Sequence, residues 1–137
     1  MSERHVHASL VIKSDDLLAE DIAKVMKPIM GVVQSRGEPI SSRPNSGLAR
    51  HSTWILSTEH APTGLDEDSP ISEHIGWLLG LLDGKKTVIE KLSTNCDVEI
   101  SCFLHTDSTN YWFDVPHAIV KKLADQKIDL VFDVYAS

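Results

Sequence analysis

Two stretches of this chain alternate apolar and polar residues with a period of two. Over residues 6–13, Val6, Ala8, Leu10 and Ile12 alternate with Ser9, His7 and the preceding His5. Over residues 97–104, Val98, Ile100, Cys102 and Leu104 alternate with Asp97, Glu99, Ser101 and Phe103. Successive strand side chains point to opposite faces, so each stretch specifies a strand with one apolar face and one mostly polar face. Strands of this kind build a sheet that needs cover on one side only, which favours a mostly antiparallel arrangement.

The cover is legible as apolar stripes at helical spacing. Leu18, Ile22, Val25 and Ile29 recur at i, i+4, i+7 and i+11, after Ser14 as an expected N-cap and acidic residues suited to the positive end of a helix dipole; Pro28 marks the expected stop or kink. Ser69 and Pro70 precede a second stripe of Ile71, Ile75, Leu78 and Leu82, with Gly84 ending it. Residues 85–92 continue as a further helical piece, with Val88, Ile89 and Leu92 inward. Pro116 opens another helix, with Ile119, Val120 and Leu123 inward.

Further strands are expected at STWILST (52–58), at YWFDV (111–115) and at DLVFDVY (129–135). The second of these reads as the return arm of a hairpin after the turn HTDSTN. The order is β-α-β-α-β-β-α-β, an α+β fold: one domain over residues 1–137, with a mostly antiparallel sheet covered by helices on one face.

Several of these segments, taken together, resemble a bacterial family, the domain of unknown function numbered 4279. They are the strand-helix opening, the loop SRGEPI, the tryptophan strand STWILST, SEHIGWLLGLL leading to TVIEKL, the late hairpin and the ending IDLVFDVY. The resemblance spans nearly the whole chain. It implies the fold and carries no activity with it.

Composition excludes several classes of function. A formal net charge of −7 argues against a general nucleic-acid binder, which needs clustered Lys and Arg to neutralise phosphates. No run approaches the length of a membrane span, and the N-terminal stretch lacks the apolar core of a signal peptide, so a cytoplasmic location is expected. Cys96 and Cys102 lack zinc-site spacing and read as reduced thiols, Cys102 on the apolar parity of its strand. Neither a nucleophile elbow nor a phosphate-binding glycine loop is present, and no cofactor is implied.

Three of the four arginines, Arg36, Arg43 and Arg50, fall in one Gly/Ser/Pro-rich stretch. Guanidinium groups on such a tether can converge on a phosphate or carboxylate; the plainer reading pairs them with Asp66, Glu67 and Asp68. His5 and His7 share one strand face and can contribute to a zinc site only if His51, His60, His105 or Asp107 completes it. A solvated strand face is the plainer expectation there, and no metal is assigned. Phe103 and Trp112 are expected to form an aromatic patch on the uncovered sheet face. The resulting expectation is a non-enzymatic cytoplasmic binding protein. In its concrete form it is an immunity-type inhibitor of a basic toxin, binding through Asp66, Glu67, Asp68, Phe103 and Trp112. The alternative is an anion-binding domain using the arginines, and self-association through the open face is a further possibility.

Overall fold

In a computed structural model describing residues 4–39, 47–107 and 112–136, the two alternating stretches pair with each other. They form β1 (Arg4–Ser14) and β4 (Asp97–Thr106), antiparallel from Arg4↔Thr106 to Lys13↔Asp97. This register sets Leu10 opposite Ile100, Ala8 opposite Cys102 and Ile12 opposite Val98 on one face. β3 (Ser52–Ser57) pairs antiparallel with the other side of β1, and β2 (Val32–Gln34) with β3. β5 (Asp129–Ala136) lies parallel beside β4, giving the order β2-β3-β1-β4-β5.

The helices pack against the face that carries Leu10, Ile12 and Ile100. They are α1 (Ala19–Met26), α2 (Ile71–Leu82), a 3-10 turn (Asp83–Lys85), α3 (Lys86–Leu92) and α4 (His117–Asp125). The α2 stripe is as expected: Ile71, Ile75, Leu78 and Leu82 are all buried. Burying a side chain of this size contributes about 1.5–3 kcal/mol, so α2 is the principal cover of the sheet. No helix among the described residues is long and apolar enough to cross a membrane.

Two local expectations are corrected. The hydroxyl of Ser14 accepts from the N–H groups of Asp16 and Leu17 at 3.1 and 2.9 Å, so it caps a turn that precedes the helix. α1 begins only at Ala19, whose N–H donates to the Ser35 hydroxyl. Its inward face is therefore Ala19, Ile22 and Met26, while Leu18 and Val25 are exposed.

The second correction concerns YWFDV. Tyr111 lies outside the described residues, and residues 112–116 form no strand. The reason is topological. β4 has β1 on one side and β5 on the other, so no edge of β4 remains for a hairpin arm. A parallel neighbour requires a crossover, and α4 supplies it. The strand not anticipated is β2, only three residues long.

Trp54 is fully buried, opposite Ile12 in the β1–β3 register. A Cβ on Gly31 would stand 2.4 Å from the indole ring, so the indole occupies the space any larger residue would need. Gly31→Ala is expected to destabilise the fold by about 1–3 kcal/mol, the usual cost of overpacking a filled core. A lower midpoint in chemical denaturation with unchanged slope is the expected reading; an unchanged midpoint would show that the indole yields freely.

Candidate functional site

The β1–β4 register that buries Leu10 and Ile100 also aligns rings on the other face. His7 stands opposite Phe103 and His5 opposite His105. The His7 and Phe103 rings stack at 4.9 Å between centroids, and the His5 and His105 rings at 5.9 Å. β5 adds Tyr135, whose ring lies 5.4 Å from Phe103. Five rings from three strands thus cluster on the face that the helices leave open.

The connection from β3 to α2 closes over one end of this cluster. Glu67 Oε2 is 3.2 Å from His5 Nδ1, and Glu59 Oε2 is 3.3 Å from His7 Nε2. Between strands and connection lies a cleft of about 330 Å³, lined among others by His5, His7, Glu59, Glu67, His74 and Phe103. Both glutamates are more than half exposed and so are accessible to a partner.

Asp66 supports the cleft more than it lines it. Its Oδ1 accepts from the N–H groups of Asp68 and Ser69 at 2.9 and 3.0 Å, and from the Ser69 hydroxyl. This closes the tight turn that presents Glu67. Asp68 is exposed on the same turn.

A buried polar relay anchors the connection from beneath. The Ala8 N–H donates to Thr58 Oγ1 at 3.0 Å, and the Thr58 N–H returns a bond to the Ala8 carbonyl at 2.9 Å. Thr58 Oγ1 and His74 Nδ1 are 2.7 Å apart, and His74 Nε2 is 3.1 Å from the Asp66 carbonyl. A carbonyl only accepts, so Nε2 carries the proton and donates; the threonine hydroxyl then donates to Nδ1. The neutral imidazole satisfies every contact. Burial accordingly lowers the His74 pKa from 6.5, against opposing contributions from the Asp66 carbonyl, Glu73 and Asp66 and with a smaller one in the same direction from His7.

Arg36 and Arg50 lie elsewhere. Arg43 falls outside the described residues. Arg36 and Arg50 are exposed on adjoining segments, joined by bonds from the Gly37 N–H to the Ala49 carbonyl and from the Ala49 N–H to the Glu38 carbonyl. The Arg36 guanidinium donates to the Asp15 carbonyl at 3.0 Å, while the Asp15 carboxylate contacts His51. The pairing of Arg36 with the 66–68 turn is therefore corrected. The arginine segment enters β3 and the acidic connection leaves it, so a strand of about 20 Å separates them.

Trp112 lies outside any strand and is largely exposed. Its neighbour Phe113 packs on Phe132 at 5.1 Å, and Phe132 pairs with Cys102, on the helix-side parity of the sheet. Phe103 has the opposite parity, and the rings it meets are those of His7 and Tyr135.

Neither thiol offers a nucleophile: burial raises the Cys102 pKa to about 12 and raises that of Cys96 as well, the latter despite a hydrogen bond from Ser14. Among the described residues no three His, Cys, Asp or Glu side chains come together in a group fit to hold a metal ion.

The family model described as a domain of unknown function, DUF4279, matches residues 4–137. The chain belongs to the DUF4279 family. No curated protein and no solved structure matches it. The match covers essentially the whole chain and assigns no reaction to it.

Glu59 and Tyr135 were not singled out by sequence. The odd parity of β5, Val131, Asp133 and Tyr135, was the available signal for the tyrosine. For Glu59 there was none short of the fold, since its contact with His7 spans two strands.

The His74 relay makes stability depend on pH. As pH falls past 6.5 the unfolded chain takes up a proton at residue 74, whereas the folded chain resists until the lowered value is reached. The stabilisation is complete above 6.5 and is lost as pH drops through the folded pKa. The native chain is expected to lose more stability from neutral to mildly acidic pH than His74→Gln, measured by thermal denaturation across that range. Parallel slopes would remove His74 as the source.

Proposed function

We propose that this DUF4279 protein is a non-enzymatic binding protein that captures a basic protein partner, in the manner of an immunity protein blocking a cationic toxin. The observation that carries the reading is the cleft on the open sheet face, where Glu59 and Glu67 stand exposed over an aromatic floor of His7 and Phe103. A lysine or arginine side chain of the partner would enter between the two carboxylates, its stem lying along the rings and its charge met by the glutamates. Asp68 and the net charge of −7 would draw a cationic surface toward this end of the sheet and speed encounter.

The anion-binding alternative has less support. Arg36 is already engaged by the Asp15 carbonyl, and Asp15 and Asp16 bring carboxylates to the same end of the sheet. An incoming phosphate would meet those charges beside the guanidinium.

Tagged protein applied to nuclease-treated native lysate is expected to retain one stoichiometric basic protein, identified by mass spectrometry. Against that partner, Glu59→Gln with Glu67→Gln is expected to weaken binding by about tenfold or more, and Phe103→Ala comparably, as for central residues of an interface. Added salt should slow association more than it speeds release. Unaltered affinity in both variants would dismiss the cleft as the binding surface.

A further inference from the structure

β5 stands last in the sheet order, so no strand among the described residues pairs with the N–H and C=O groups along its outer edge. Natural sheets commonly protect such an edge with lysine, proline or a bulge. β5, with the sequence DLVFDVYA, has no lysine or proline, and its pairing with β4 runs without interruption from Asp129 to Ala136. Exposed apolar side chains flank it on both faces. On the helix side are Phe132 at 38% exposure and Val134 at 53%; on the open side are Val131 and Tyr135. Together these four side chains offer about 350 Å² per copy at their exposures. Two copies would bring about 700 Å² of apolar side chain besides the paired edge backbone, the scale of a weak association that forms at micromolar concentration.

We infer that β5 pairs antiparallel with β5 of a second copy, extending the sheet across a two-fold axis. The strand's own pattern selects the register. A two-fold axis through the sheet keeps helix-side residues opposite helix-side residues, and two registers then pair most of the strand. The one centred on Asp133 sets that carboxylate against its own copy, which is repulsive. The one centred on Phe132 stacks Phe132 on its copy and sets Leu130 opposite Val134. On the open face it sets Val131 opposite Asp133 and Asp129 opposite Tyr135, where the phenol can donate to the carboxylate. No acidic residue then opposes another, and the pairing is closed, as a two-fold requires.

Sedimentation of the native chain at tens of micromolar is expected to give twice the 15.2 kDa protomer mass. Val134→Lys, which sets a cation against Leu130 of the copy, and Phe132→Lys, which sets two cations against each other at the dyad, should each sediment as protomers with unchanged far-ultraviolet dichroism. Under oxidation, Phe132→Cys should form a disulfide-linked dimer and Asp129→Cys should not, because only residue 132 meets its own copy. Protomer mass for the native chain would overturn the inference. So would dimers that persist in both lysine variants, or cross-linking at 129 in place of 132.

Discussion

The β1–β4 ladder is the constraint on which the rest of the molecule depends. It runs the length of both strands and fixes two surfaces at once. With Leu10 opposite Ile100, the helix side becomes continuous enough for α2 to cover. With His7 opposite Phe103 and His5 opposite His105, the open side acquires its rings. A slip of one residue would turn Leu10 and Ile12 toward solvent and the histidines toward α2, so core burial holds the cleft in register. The geometry of the proposed binding face is thus maintained by the hydrophobic stabilisation of the opposite face.

Thr58 and His74 carry that constraint into the acidic connection. The threonine pairs with both backbone groups of Ala8, prolonging the β1–β3 ladder by one position through its side chain. His74, held in α2, passes the hydrogen bonding on to the Asp66 carbonyl. Glu67 projects from a turn anchored at both the sheet and the helix, and only its side chain need move to meet a partner. Preorganisation of this kind lowers the ordering cost that weakens binding by loose loops.

Much of the fold was legible in the sequence, because β1, β4 and α2 are each dominated by one period. The candidate site was legible only in part. Phe103 and the 66–68 turn were recognisable as outward-facing, yet what Phe103 touches depends on the parallel placement of β5, which no local pattern encodes. Nearness in sequence suggested that the arginines face Asp66, Glu67 and Asp68, but for Arg36 and Arg50 β3 stands between as a rigid spacer. β2 is too short for any period to reveal, and it forms because Trp54 draws Gly31 against the core.

Tyr135 links the two proposed surfaces. It touches Phe103 on the floor beside the cleft, and it lies on the strand inferred to meet its copy. In the Phe132-centred register, Phe103 of each protomer would stand three strand spacings from its counterpart, about 14 Å across the sheet. Both clefts would then open on the same face of one continuous sheet, near the dyad. A partner with two basic side chains at that separation could engage both clefts at once, the second contact being effectively intramolecular and correspondingly favoured. A partner with a single such side chain would gain nothing from the pairing. The edge of β5 would therefore influence which basic proteins the open face retains, although it contacts none of them.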